Sequence, residues 1–337
     1  MAMAEKETIL SIQAVKQLPS GAAFKTVAVV RRITRKMGKT GNLYLQIEVG
    51  DAIDTMGFNC FEGTQPFAFF QNIGERCPQI VLIEGAIDFY AEKLSPRIKS
   101  IIEIAPERYE EFLPRVVETP DEPIDTLKQE LDAFIQSLEH DPLKATVQQV
   151  FDDLGDRFLE SIAAVSMHHA YIHGLLEHTV HVTRLVDAMV PLYPDAHRDL
   201  AIAGALLHDV GKVLEYRYTT AEGMDRTTIG HLQGHVVLGY RLVHEAALKH
   251  NLDPHWQAQL EHIILSHQGQ PEWGAAVFPA TPEAILVGLA DNADARMAMV
   301  HQQLKKALPG QVFSERVAGL ETRVFTQGVP VPNEQNV

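Results

Sequence analysis

Cysteine is almost missing from this sequence: its 337 residues include two, Cys60 and Cys77, without CxxC spacing. A disulfide framework and a thiolate metal site are thereby excluded, and both residues read as small core side chains. Long apolar runs are missing as well. Nothing approaches the ~18 residues a membrane helix needs, and the opening MAMAEKETIL lacks a basic-then-apolar signal pattern. A cytoplasmic protein with no membrane partner is expected. Positive charge is in deficit, with 29 Lys+Arg against 44 Asp+Glu and a formal charge of −15. That argues at first against a polyanionic substrate, because nucleic-acid binding usually leaves a basic footprint. The deficit is uneven, however. Residues 1–108 carry 13 basic and 12 acidic side chains, so the remainder, with 16 against 32, holds all of the excess, part of which bound divalent cations would offset. The near-neutral third also contains a basic cluster: Arg31, Arg32, Arg35, Lys36 and Lys39.

What is present is enough apolar sequence, 46%, to bury a large core in about two domains. From Ala22 to Ile104 the dominant period is two, clearest where Leu43, Leu45, Ile47 and Val49 alternate with Tyr44, Gln46 and Glu48. Five strands are predicted, at Ala22–Ile33, Asn42–Val49, Thr55–Phe61, Gln79–Phe89 and Arg97–Ile104, with a helical piece near Pro66–Asn72 after the third. This order fits the partly open five-stranded barrel of an OB-fold, which commonly binds single-stranded nucleic acid. The basic cluster then falls on the hairpin joining the first two strands. Arg35 and Lys36 become candidate substrate contacts there, and Tyr44, opposite the Leu43/Leu45 face, a candidate stacking surface.

Pro114, Pro120 and Pro123, with acidic neighbours, mark a boundary over 109–125, after which the period turns helical. The expected organisation is an OB-fold domain over 1–108, a linker and helical connector over 109–165, an all-α domain over 166–325 and a tail over 326–337. Val317, Leu320 and Val324 are expected to close the helical domain before the chain frays at Val329-Pro-Val-Pro.

The segment Ala203-Gly-Ala-Leu-Leu-His-Asp-Val-Gly-Lys212 reads as an apolar helix interrupted by adjacent His208 and Asp209. Burying such groups costs several kcal/mol unless they are paired or bound to metal. Adjacent imidazole and carboxylate ligands can grip two neighbouring cations, with the carboxylate as the bridge. Lys212, one turn on, points toward the same site and can hold a phosphate. His178, His235, His267 and Asp291 lie in similar helical contexts. His231, four residues before His235, is the alternative for its place, and Asp294, one turn after Asp291, reads as orienting a ligand. Nitrogen and carboxylate ligands suit Mn, Fe, Co, Ni or Zn. Six of them suit two ions ~3.5–4 Å apart, able to clamp a phosphodiester and activate a water.

The order of His178, His208-Asp209 and Asp291 resembles the HD phosphohydrolase superfamily, H…HD…D. Further segments look like the YhaM type of 3′→5′ exoribonuclease: His168-His169-Ala-Tyr, Gly174-Leu-Leu-Glu-His-Thr, Gly234-His235, Ser266-His267-Gln-Gly and Glu272-Trp-Gly-Ala-Ala-Val-Phe-Pro-Ala-Thr-Pro-Glu-Ala. That family also has an OB-fold before its HD domain, so the resemblance spans nearly the whole chain. It implies removal of nucleotides from the 3′ end of RNA, and also of single-stranded DNA, with manganese preferred. Metal-binding roles map onto His178, His208, Asp209, His235, His267 and Asp291, catalytic roles onto Asp209 and Lys212, and substrate contact onto Lys212 and His169. Two departures stand out. Ser266-His267-Gln268-Gly269 stands where the family often has Ser-His-His-Gly, a change expected to remove either a ligand or a histidine supporting one and to alter metal preference. His173-Gly174-Leu175 stands where it usually has Gly-Gly-Leu, which adds a side chain near the first ligand.

The expected function is a metal-dependent 3′→5′ exoribonuclease that releases nucleoside 5′-monophosphates. Its expected partner is single-stranded RNA or DNA, and its expected cofactor is two divalent ions, Mn first, with Co, Ni, Fe or Zn as alternatives. Two rivals keep similar residues. An HD phosphohydrolase of small or cyclic nucleotides has the OB domain against it, and a non-catalytic nucleic-acid-binding regulator has the full ligand set against it. A homo-oligomer that builds a basic channel is one hypothesis for how a polyanion approaches a chain of this charge.

Overall fold

The computed structural model describes residues 9–38, 41–73, 79–90, 93–116, 119–163, 171–219, 223–308 and 310–327. Lys39, Cys77, His168, His169 and the Val329-Pro-Val-Pro segment lie outside the described residues.

A short helix α1 (Ile12–Lys16), capped by Ser11, precedes β1 (Ala23–Met37), β2 (Leu43–Gly50) and β3 (Thr55–Phe61). Helix α2 (Gln65–Ile73) leads to β4 (Ile80–Ala86), a small hairpin of β5 (Phe89–Tyr90) and β6 (Lys93–Leu94), and β7 (Arg97–Glu103). The five long strands form one antiparallel sheet in the order β3-β2-β1-β4-β7. β1 serves two neighbours, pairing over Ala23–Val29 with β4 and over Val29–Met37 with β2, with an irregularity between Val30 and Arg32. An extra residue of this kind bends a strand and lets one sheet curl around its own core. Alternate residues turn inward as the period-two pattern requires: Leu45, Ile47, Val49, Met56, Phe58, Cys60, Val81 and Ile83 pack with Phe67, Phe70 and Ile73 of α2.

The five strands and the helix after the third follow the OB-fold order, but the barrel is not closed, since β3 and β7 end the hydrogen-bonded series. Helix α2 covers that gap. Gln65 Nε2 donates to Ile101 O at 3.0 Å, and Ile101 N donates to Gln65 Oε1 at 3.2 Å, so a side-chain amide satisfies backbone groups that a neighbouring strand would otherwise take. The basic cluster also departs from expectation. Arg31, Arg32, Arg35 and Lys36 lie on β1 rather than on the hairpin, because pairing continues to Met37 and only the Gly38–Gly41 turn ends it.

Helix α3 (Tyr109–Val116) lays Phe112 and Val116 on the outer face of the sheet, against Val27, Ile80 and Ile104. Then come α4 (Ile124–Gln136), α5 (Asp141–Leu154), α6 (Asp156–Leu159), α7 (Gly174–Met189), α8 (Arg198–Leu207), α9 (Lys212–Glu215), α10 (Thr228–Lys249), α11 (Pro254–Ser266) and α12 (Pro282–Lys306). Leu127, Leu131, Leu143 and Val147 share one core with Leu176, Val180, Ala203, Leu207, Ile263 and Val287. Thus α4 and α5 are part of the helical core as well as a connection into it.

This half is not wholly helical. β8 (Tyr216–Thr219) pairs with β9 (Gly223–Arg226), and β10 (Phe313–Val317) with β11 (Thr322–Phe325), the second hairpin burying Leu320 and Val324. Polar bonds join the halves. Gln13 Nε2 donates to Lys305 O and Ala307 O, both at 3.3 Å, while Asp121 meets Lys305 at 2.7 Å and Glu122 meets Arg184 at 2.7 Å.

Candidate metal centre

Helix α8 is buried from Asp199 to Leu207, and its end carries His208 and Asp209 into the interior at 0% and 1% exposure. The next turn can lie against α10 only because residue 211 is glycine: a Cβ there would meet His235 O at 2.0 Å. Within α10, Gly234 has φ 71°, a left-handed break open to glycine, and the break re-aims the helix immediately before His235. His178 comes from the first turns of α7, His267 from the end of α11 and Asp291 from the middle of α12.

Four rings converge through Nε2 because each Nδ1 is otherwise engaged. His178 Nδ1 donates to Asp294 Oδ2 at 2.7 Å, His208 Nδ1 to Ala205 O at 2.8 Å, His235 Nδ1 to Glu215 Oε2 at 2.7 Å and His267 Nδ1 to Ile264 O at 2.7 Å. Partners of this kind fix the tautomer and ring orientation of metal-binding histidines. Asp209 stands between two groups. Its Oδ2 lies 3.3 Å from His178 Nε2 and 3.4 Å from His208 Nε2, with Asp291 Oδ1 3.3 Å from His178 Nε2. Its Oδ1 lies 3.4 Å from His235 Nε2 and 3.5 Å from His267 Nε2. The potential ligand atoms form two sets, His178–His208–Asp209–Asp291 and Asp209–His235–His267, each within 4.8 Å and sharing Asp209.

Asp209 Oδ2 is met by the Lys212 ammonium at 2.5 Å, while Oδ1 has no hydrogen-bond partner among the described residues. A carboxylate buried with one oxygen unmet is costly, and cations held by its oxygens would remove that cost. With imidazole and carboxylate donors on both sides, the residues present fit divalent ions.

Charge is tightly coupled here. Burial works against the charge on Asp209, but Lys212 and His208 outweigh it and hold the carboxyl well below its usual range. Burial likewise opposes the charge on Asp291, and the hydrogen bond with His178 keeps this group low as well. For His178, desolvation is overcome by Asp209, Asp291 and Asp294, which raise it well above the ordinary histidine value. Lys212 is raised by Asp209 and Asp291 against its own burial. In this arrangement the positive charges of His178 and Lys212 balance the buried acids, in the place where cations would do so.

The centre opens on a cavity of ≈ 1030 Å³ lined by Lys212, Tyr216, Arg226, Gln268, Trp273 and Arg296, among others. Trp273 is 62% exposed. Arg226 is held by Glu215 at 3.0 Å and lies over the Tyr216 ring, 5.7 Å from its centroid. A second cavity, ≈ 470 Å³, is lined by Arg157, His173 and Arg217 and includes none of the six converging residues.

All six expected ligands and Lys212 therefore come together. His231 is exposed and outside both sets, while Asp294 takes the orienting place expected of it. His173, the added side chain before α7, has φ 69° and turns its Nδ1 to Leu159 O at 2.6 Å. The sheet residues divide. Lys36, Tyr44 and Phe61 stand in one cross-strand row, with the Tyr44 and Phe61 rings 5.9 Å apart, whereas Arg35 is in register with Leu45 on the other face. Sequence reasoning missed Glu215, Trp273, Arg226, Arg296 and the stacking place of Phe61. An aromatic within the Glu272–Ala284 motif was a usable signal for Trp273; Glu215 had none, since its partner is 20 residues away.

A model of the HD domain matches residues 175–296, which contain the whole centre. The 3′-5′ exoribonuclease YhaM of Shouchella clausii (strain KSM-K16) is 30% identical over 307 residues, covering 90% of this chain and 93% of that protein. The YhaM of Geobacillus sp. (strain WCH70) is 32% identical over 250 residues, covering 73% of this chain and 75% of that protein. That of Bacillus subtilis (strain 168) is 30% identical over 249 residues, covering 73% and 77%. With an HD domain around the His/Asp centre and a five-stranded sheet before it, the chain belongs to the YhaM family of 3′-5′ exoribonucleases.

Proposed function

We propose that this chain is a metal-dependent 3′→5′ exoribonuclease, active also on single-stranded DNA, that releases nucleoside 5′-monophosphates. The observation that carries this reading is Asp209, a buried carboxylate whose Oδ1 has no hydrogen-bond partner among the described residues and whose two oxygens each face a separate set of donors. His178, His208 and Asp291 would hold one divalent ion and His235 and His267 another, with Asp209 offering an oxygen to each. Manganese is the first choice; Co, Ni, Fe and Zn suit the same nitrogen and oxygen donors. When bound, such ions supply Lewis acidity, which makes water nucleophilic near neutral pH and offsets charge on the phosphodiester.

The chain's own residues do the rest. Lys212, Arg226 and Arg296 bring positive charge to the cavity wall, where a terminal phosphate enters. Trp273 offers its exposed ring to the terminal base. Asp294 and Glu215 hold His178 and His235 in orientation from behind. On the sheet, Tyr44 and Phe61 stack bases and Lys36 meets a phosphate, so a single strand is captured there and its 3′ end is hydrolysed in the helical half. Support for the direction and polymer comes from relatives that carry the name 3′-5′ exoribonuclease. The protein works in the cytoplasm, and a homo-oligomer supplies the basic channel that a chain of −15 lacks. Among the described residues no helix is long and apolar enough to cross a membrane.

The test is a time course with 5′-labelled single-stranded RNA and metal-stripped protein, to which Mn, Mg, Co, Ni or Zn is restored. A ladder shortening from the 3′ end is expected with Mn. RNA left intact under every ion, with mononucleotides hydrolysed instead, would transfer the reading to a small-nucleotide phosphohydrolase.

A further inference from the structure

The second set of donors around Asp209 has a neighbour that is neither histidine nor acid. Gln268, half-buried beyond the end of α11, places its Nε2 3.0 Å from His267 Nε2 and 3.3 Å from His235 Nε2. Both ring nitrogens present lone pairs in the neutral rings, because His267 Nδ1 donates to Ile264 O and His235 Nδ1 to Glu215. The same two nitrogens lie within 3.5 Å of Asp209 Oδ1. The amide therefore faces the point on which a carboxylate oxygen and two imidazole lone pairs converge. Its NH₂ has one hydrogen for each ring. The other terminus, Oε1, is nearly the same size, and a half turn about the last side-chain bond exchanges the two.

We propose that Gln268 is the fourth protein donor at this position, presenting Oε1 when a divalent cation is held by Asp209 Oδ1, His235 Nε2 and His267 Nε2. The proposal rests on reading the centre as a divalent-metal site and goes further by making its two positions unequal. The first position has two imidazoles and two carboxylates, from His178, His208, Asp209 and Asp291. The second has two imidazoles, one shared carboxylate and a neutral amide oxygen. Less negative charge faces the ion there, so this position fills second and binds more weakly. Carbonyl oxygen also suits hard ions such as Mn and Mg better than soft ones. Without an ion, the amide hydrogens occupy the two ring lone pairs and keep the position formed.

The deciding experiment titrates the metal-stripped full chain with Mn²⁺ and follows the free ion by electron paramagnetic resonance. The wild-type chain shows two steps, the second weaker. Gln268→Ala leaves the first step unchanged and weakens the second by at least roughly tenfold. Gln268→Glu, which offers a charged oxygen in the same place, tightens the second step. The retained first step reports that each variant is folded. A second step that is unchanged in Gln268→Ala, or weakened in Gln268→Glu, overturns the proposal while the metal centre stands. A wild-type chain that takes up no Mn²⁺ overturns the metal reading and this proposal with it.

Discussion

Asp294 Oδ2 accepts a hydrogen bond from His178 Nδ1 at 2.7 Å across 116 residues of chain, while its Oδ1 meets His181 Nδ1 at 3.1 Å. One carboxylate on α12 therefore sets the ring on α7 whose far nitrogen faces Asp209. Replacing Asp294 with Asn keeps the shape but removes the charge that favours this orientation. Metal affinity is expected to fall roughly 10–100-fold with the fold retained. Chelator competition measures it, and an unchanged affinity would remove Asp294 from the centre.

Asp209 contributes an oxygen to each set of donors, so no other side chain substitutes for it. Asp209→Ala is expected to lower hydrolysis by more than about 10³-fold, equivalent to ~4 kcal/mol of transition-state stabilisation. RNA binding by the sheet should persist. Single-turnover rates and fluorescence anisotropy on the same preparation separate the two effects; wild-type hydrolysis by the variant would show that the site is elsewhere.

Trp273 stands in the cavity wall with most of its ring exposed. If it stacks on the terminal base, Trp273→Ala loses roughly 1–3 kcal/mol of binding. The expected result is a KM about tenfold higher with kcat nearly unchanged. A fall in kcat at constant KM would instead give this ring a part in the chemistry.

On the sheet, Tyr44 and Phe61 are cross-strand neighbours and Lys36 is in register with Tyr44. Phe61→Ala and Tyr44→Ala are each expected to weaken single-stranded RNA binding by roughly 1–3 kcal/mol. Lys36→Ala should reduce the slope of log affinity against log salt by about 1. If all three bind RNA like the wild type across a salt series, the polymer does not cross this face.

Glu122 ties the inter-domain linker to α7 through Arg184, and that pairing, despite partial burial, holds its carboxyl at about 2 instead of 4.5. A depressed folded value means the stabilisation is fully present above the unfolded pKa and disappears as pH falls from about 4.5 through about 2. The pair is partly exposed, so its contribution is modest and screened by salt. Glu122→Gln should lower the denaturation midpoint modestly near pH 7, change little below about pH 2, and so remove part of the acid-limb slope over that window. An identical slope in the variant would mean that Arg184 does not stabilise the linker.

Much of this molecule was legible before its structure. The strands of the sheet follow from the alternation around Leu43–Val49, and side chains separated by two residues share a face whatever follows. The candidate ligands that meet here were legible from the cost of burying His208 and Asp209 in an apolar helix, and for the others from their helical contexts together with the resemblance to HD phosphohydrolases. Other features were settled only when distant segments met. The sheet stays open at β3 and β7 because Gln65 satisfies the edge at Ile101. The basic residues belong to β1 because β2 continues to pair with it as far as Met37.

The sequence by itself determined which residue types carry the chemistry and which elements hold them, since both depend on local pattern. Only the tertiary structure decided that the two oxygens of Asp209 face different donor sets, that Glu215 and Asp294 stand behind His235 and His178, and that Gln268 faces the second set. These are distances of a few ångströms between residues far apart in the chain. Helix packing sets them, and no period in the sequence records it.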